Sequence, residues 1–169
     1  MSQFLPSSNS PLMIRDGSRR RYRPATPEQI LEAARQAIDV KLPRGTAFTT
    51  PEVVKQYLIA KLAGYEHEVF AGLFLDTHHR LIEYVEMFRG TIDGAVIHPR
   101  EVVKTALRYN AAAVIFAHNH PSASPEPSAA DRAITARLKQ ALALIEIRTL
   151  DHVVVGGDQT TALAERGWL

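Results

Sequence analysis

At 169 residues the chain suits one domain with some extra tail, and a hydrophobic share of 46% is enough for a real core. No stretch approaches the roughly 20 continuous apolar residues a membrane span needs, and Pro6, Ser7, Ser8, Asn9, Ser10 and Pro11 interrupt any apolar segment of the secretory type, so a cytoplasmic protein is expected. A net charge of +2 is too mild to mark the whole chain as a nucleic-acid binder, and the absence of cysteine excludes disulfides and leaves any metal to histidine and carboxylate.

Residues 1 to 25 are rich in Ser, Pro and Arg and lack periodicity, which predicts a flexible, irregular arm. Arg15, Arg19, Arg20, Arg21 and Arg23 cluster around Tyr22. Such a cluster is either a solvated surface or a weak contact to nucleic acid or an acidic partner. Thr26-Pro27-Glu28-Gln29 is a helix start, with an N-cap, a proline at the first position, then acid and amide. Ile30, Leu31, Ala34, Ala37 and Ile38 give that helix an apolar face to about Val40, and Leu42-Pro43-Arg44-Gly45 ends it. Residues 26 to 46 thus form an N-terminal helical extension, free to dock on the domain that follows or on a second copy in a homo-oligomer.

From residue 47 the main domain begins. Thr50-Pro51-Glu52 repeats the start signal; Val53, Val54, Tyr57, Leu58 and Leu62 have helical spacing, and Gly64 caps the end. Glu68 to Leu75 read as a strand, Asp76 to Arg80 as a turn and Leu81 to Phe88 as the returning strand of a hairpin. Residues 89 to 97 read as a loop with a short strand, and Pro99 to Tyr109 as a helix stopped by Asn110. Ala111 to Ala117, apolar throughout, predict an interior strand. Ala129 to Leu144 have a helical pattern, Ile145 to Thr149 and Asp151 to Val155 read as further strands, and Thr160 to Ala164 as a short closing one. Trp168 is expected to anchor the end by packing. The alternation of strands and helices gives an α/β fold.

The interior strand drives into His118-Asn119-His120-Pro121 and on to Ser128-Ala129-Ala130-Asp131. Side chains alternate along a strand, so His118 and His120 project to the same side. Pro121, Pro125 and Pro127 forbid helix or central strand in the loop between. Ser128 is a good N-cap, and Asp131 stands three residues on, where a capping box puts its acid. A His-x-His pair alone is a weak signal, and Ser128 with Asp131 alone is a simple cap. Together they bring two imidazoles and a carboxylate into reach of one ion. Two His, one acid and an open fourth position are the ligand set of a catalytic zinc. His98, Asp151 and His152 are better read as structural or supporting residues than as ligands.

His-x-His, seven residues, Ser, two residues, Asp resembles the motif of the JAMM (MPN-type, JAB) metallopeptidase superfamily. Flanking stretches resemble its RadC-like branch: Glu68-Val69-Phe70, Leu73-Phe74-Leu75-Asp76, Arg89-Gly90-Thr91, His98-Pro99-Arg100-Glu101-Val102, Leu150-Asp151-His152-Val153-Val154-Val155-Gly156 and Glu165-Arg166-Gly167-Trp168. The likeness runs from about residue 47 to the C-terminus. It implies a mixed, curved β-sheet flanked by helices, of the cytidine-deaminase-like type. It implies one Zn2+ per chain held by His118, His120 and Asp131, and amide hydrolysis of a peptide or isopeptide by water at the metal. A carboxylate opening an apolar strand ordinarily faces solvent; the resemblance makes Glu68, rather than its neighbour Glu66, the general base and then acid. It gives Ser128 a hydrogen bond that stabilises the tetrahedral intermediate. Ala123-Ser124 stand where the commoner RadC-like loop has a Gly-Asp pair, which bears on substrate preference more than on the ligands. The branch also carries an association with DNA repair, so a DNA-metabolism accessory protein with a mainly structural metal is the alternative. The helix-hairpin-helix region of longer relatives is not evident here, and the arginine cluster is the one feature that favours that alternative.

Overall fold

The computed structural model describes residues 12–15, 21–90 and 96–169. A two-stranded antiparallel ribbon, β1 (Met13–Arg15) and β2 (Tyr22–Pro24), stands at the N-terminal end, where the composition predicts irregular chain. Arg15 pairs with Tyr22 and Arg23 with Ile14; Arg19 and Arg20 lie outside the described residues. Helix α1 (Pro27–Lys41) begins with a complete capping box, Thr26 and Gln29 each bonding the other's backbone. It docks on α2 (Pro51–Leu62) within the same chain. Arg35 donates to the carbonyls of Lys61 and Ala63, and Asp39 pairs with Lys61 at 2.9 Å. Gly64 makes this approach possible: its φ is +80°, and a Cβ there would sit 2.4 Å from Leu31 Cδ1.

The domain is a five-stranded sheet in the order β4-β3-β5-β6-β7. Strands β3 (Val69–Leu75) and β4 (Leu81–Arg89) form the expected hairpin, and β5 (Ala113–Asn119) lies antiparallel on the other side of β3. Strands β5 and β6 (Arg148–Gly156) are parallel, joined through α4 (Ala129–Ala143); β7 (Gln159–Ala162) returns antiparallel. The sheet is therefore mixed and helix-flanked, the α/β architecture read from the sequence. Period-two alternation sorts its side chains into two cores. Val69, Ala71, Leu73 and Leu75 of β3, with Ile115, Val153 and Val155, pack under Tyr57, Leu58 and Leu62 of α2. Phe70, Phe74, Val114 and Phe116 face the other way, against Val102 and Ala106 of α3 (Pro99–Arg108) and Leu138 and Leu142 of α4. Among the described residues no helix is long and apolar enough to cross a membrane.

Two local expectations are corrected. Leu144 to Glu146 form a turn, with Glu146 at φ 60°, and Ile147 links it to the strand, so Ile145 does not start a strand, and Arg148–Gly156 is one continuous strand rather than two. Its register slips between Val114 and Ile115, which pair with Thr149 and Asp151, so Leu150 is an extra residue at a bulge. Of the predicted short strand in residues 89 to 97, positions 91–95 lie outside the described residues.

Two contacts fix the sheet's end at the functional loop. Asn119, buried on the α2 side of β5, accepts from Val69 N (2.8 Å) and donates to His67 O (3.0 Å). It clamps the backbone on either side of Glu68. Gly156, at the end of β6, lies directly under the loop: a Cβ there would be 2.4 Å from Pro125 N and from Ser124 C. Asn119→Ala strands a buried N–H and a C=O and is expected to lower unfolding free energy by about 1–3 kcal/mol in denaturant titration. Gly156→Ala drives a methyl into backbone and is expected to cost about 1–3 kcal/mol in the same measurement.

Candidate metal centre

The site lies where the parallel pair β5–β6 ends and α4 begins. Crossover topology brings a helix N-terminus to the carboxyl ends of the strands, a place where α/β folds bind ligands. Strand β5 carries His118 to its end on the α4 side of the sheet. His120 continues the ladder just past the strand, its N–H donating to Val155 O at 2.9 Å. The two imidazoles thus share a face, with ring centroids 4.8 Å apart.

The third donor comes from α4. Ser128 is its N-cap, and the capping box is complete: Asp131 N donates to Ser128 Oγ (3.1 Å), and Ser128 N donates to Asp131 Oδ2 (2.6 Å). The Ser128 hydroxyl also donates to Oδ2, at 2.7 Å. This box turns the Asp131 carboxylate back over the loop. His118 Nε2 then lies 3.0 Å from His120 Nε2 and 3.3 Å from Asp131 Oδ1, and His120 Nε2 lies 3.6 Å from Asp131 Oδ2.

Three donor groups meeting at such distances need a proton or a cation between them. Tetrahedral zinc, with bonds of about 2.0–2.1 Å, sets its ligand atoms roughly 3.3–3.4 Å apart; the two imidazoles stand 3.0 Å apart, and each lies 3.3 or 3.6 Å from a different oxygen of the Asp131 carboxylate. One donor atom from each of His118, His120 and Asp131 can hold a single metal ion. The electrostatics agree. Burial pushes the Asp131 carboxyl up, but hydrogen bonds with His118 and His120, the charge of His118 and the Ser128 hydroxyl together hold it far below the ordinary carboxylate range. His120 is raised, first by its bond to Asp131, against the cost of burial, with help from the Ser124 carbonyl and the charges of Asp131 and Glu68.

The loop is rigidly supported. His120 Nδ1 donates to Ser124 O at 2.9 Å, which in the neutral ring leaves Nε2 as the lone pair. Arg166 holds Glu126 with both guanidinium arms, one bond at 2.7 Å, and its charge lies over the Trp168 ring, which Arg132 also covers at 4.2 Å. Trp168 therefore anchors the end by packing, as its position in the sequence predicts.

Glu68 immediately precedes β3, two residues before Phe70, the partner of His118 across the sheet. Its carbonyl accepts from Gly90 N at 2.8 Å, and its charge is felt at His120. His98 stands apart: it is the exposed residue before α3, against the Phe88 ring. Asp151 is also apart, its Oδ1 accepting from His152 N (2.7 Å) and Ala164 N (3.0 Å), with burial raising its carboxyl. His152 is drawn in behind the site. It is fully buried, 2.8 Å from His118 Nδ1, and desolvation, with the charge of His118, lowers its imidazole well below the ordinary range. Two residues escaped the sequence reading. Asn119 sits between the histidines on the opposite face, and only strand pairing brings it to Glu68. Thr135 lies one helical turn after Asp131, a spacing that could have flagged it; it is buried and 2.5 Å from His152 Nδ1.

Comparison with known proteins agrees with this construction. The RadC-like JAB domain matches residues 48–168. A UPF0758 protein of Vibrio cholerae serotype O1 is 60% identical over 141 residues, covering 83% of this chain and 89% of that protein. UPF0758 proteins of Nitrosococcus oceani and Cellvibrio japonicus are each 56% identical, over 82% and 84% of this chain. The chain spans only 62% and 63% of their lengths. With the domain matched through the whole sheet and its donor triad, the chain belongs to the RadC-like JAB domain family.

Proposed function

We propose that this protein is a zinc-dependent hydrolase of the JAMM type that cleaves an amide bond, peptide or isopeptide, with water as the nucleophile. The observation that carries the reading is the convergence of two Nε2 lone pairs and one carboxylate within 3.0–3.6 Å at the end of a buried strand. All three donors are nitrogen or oxygen, and the set leaves room for a fourth partner, as open catalytic zinc sites do.

His118, His120 and Asp131 would hold the ion. Bound zinc would supply a Lewis acid that polarises a carbonyl and brings the pKa of water near 7. Glu68 then takes the proton from the attacking water and returns it to the leaving amine, the two halves of general acid–base catalysis. Its post is stiff because Asn119 grips the backbone on both sides of it. Ser128 donates its hydroxyl to the oxygen that gains charge in the tetrahedral intermediate, an electrostatic stabilisation. To do so it swings its proton away from Asp131 Oδ2, the present acceptor. The loop from Pro121 to Pro127 would shape the substrate cleft, and Arg166 holds that loop at Glu126.

Metal analysis of purified protein tests the ligands. Wild type should carry close to one zinc per chain, and His118→Ala should lose most of it; a full complement in the variant would count against the assignment. A peptide and isopeptide library hydrolysed by the zinc-loaded protein would give a substrate. On that substrate Glu68→Gln should keep the metal and lose about 100-fold or more in kcat, the usual scale for a general base, and unchanged turnover would refute its role.

A further inference from the structure

His152 is completely buried and belongs to no ligand set, yet both its ring nitrogens are engaged. Nε2 is 2.8 Å from His118 Nδ1, and Nδ1 is 2.5 Å from Thr135 Oγ1. The direction of these bonds is fixed at the far end. Thr135 Oγ1 lies 2.5 Å from the Asp131 carbonyl. A carbonyl can only accept, so the hydroxyl proton goes there. The Thr135 oxygen must then accept from His152, whose Nδ1 carries the proton. The ring packs against Phe70 and Phe116 and meets a hydroxyl and an imidazole, with no carboxylate at either nitrogen, the surroundings of the tautomer with its one proton on Nδ1. Its Nε2 is therefore a bare acceptor. His118 must donate from Nδ1, which in the neutral ring leaves Nε2 as the lone pair, and that is the nitrogen facing His120 and Asp131.

We infer that His152 and Thr135 form a directional hydrogen-bond relay that sets the tautomer and ring orientation of His118. The relay also ties the strand that carries one ligand to the helical turn that carries another, since Thr135 ends on the backbone of Asp131. His120 gets its tautomer from a main-chain carbonyl of its own loop. His118 sits inside the sheet at 1% exposure, where strand pairing already uses the nearby carbonyls. A side chain from the neighbouring strand is what can reach its Nδ1. His152 is thus a positioning residue, not a catalytic one. The inference rests on the metal reading for its purpose, though not for its geometry.

The test is made on the whole 169-residue chain with zinc as the probe. His152→Phe fits among the Phe70 and Phe116 rings, so the zinc-free variant should still fold cooperatively, with its unfolding temperature lowered by the stranded His118 Nδ1–H. Its zinc affinity, read by competition with a chromophoric chelator, should fall about 10–100-fold, the usual cost of losing such a partner. His152→Gln restores an acceptor near the lost Nε2 and should recover part of the affinity. Thr135→Val, nearly isosteric, should lose affinity in the same direction and carries the test if His152→Phe does not fold. In the wild type, long-range proton–nitrogen NMR of the zinc-free protein should show His118 protonated on Nδ1. Wild-type zinc affinity in both His152→Phe and Thr135→Val would overturn the relay, and so would a His118 ring protonated on Nε2 and not on Nδ1. A wild-type protein that takes up no zinc would instead overturn the metal reading, and the His118 ring alone would then decide for or against the relay.

Discussion

The structure turns on the register of one strand. Strand β5 is buried from Ala113 to Asn119, so each of its side chains belongs to one core or the other. His118 and His120 fall on the α4 side and Asn119 on the α2 side. A slip of one residue would exchange them, burying two imidazoles under α2 and turning an amide toward Asp131. Nothing so small would be tolerated, because Val114 and Phe116 on one face, and Ala113, Ile115 and Ala117 on the other, would have to change cores as well. The hydrophobic effect thus places the polar groups. The apolar side chains choose the register, and the donors are carried to their face by it.

The same logic reaches the neighbouring strand through a defect. Counting evenly along β6 from Thr149, which pairs with Val114, Asp151 would share its face. The bulge at Leu150 advances the count by one, and His152 takes that face instead, opposite Phe116. Asp151 is left to cap the backbone near Ala164. One inserted residue therefore decides which of two adjacent ionisable groups stands behind His118. Bulges beside functional sites re-aim side chains in just this way.

What the sequence makes legible is what is local. The two histidines, the proline-rich loop and the Ser128–Asp131 cap lie within fourteen residues, and each follows from rules that operate over a few positions. The helices carry their own start signals, and the hairpin of β3 and β4 its own turn. What stays hidden depends on pairing between distant segments. Asn119 reaches back to His67 and Val69 only because β5 lies beside β3. His152 reaches His118 only because β6 lies parallel to β5 with a bulge. The single strand Arg148–Gly156 looks like two because the bulge breaks its alternation. The β1–β2 ribbon escapes because strands of three residues leave no periodicity to read.

The loop between the ligands shows how a local cost serves the site. Ala123 stands at φ 60°, in the left-handed region that favours glycine, at a cost on the order of 1 kcal/mol for a residue with a Cβ. Its N–H closes a turn on His120 O at 3.0 Å. That turn reverses the chain so that the very next carbonyl, of Ser124, comes back over the His120 ring and takes the Nδ1 proton. Without the reversal, His120 would have no acceptor in its own loop and no reason to present Nε2 to Asp131. Gly156 presses on the same turn from below, and Arg166 grips Glu126 just beyond it. The strained residue is over-determined on both sides, the usual condition for strain to persist, and what it secures is the proton position on one ligand.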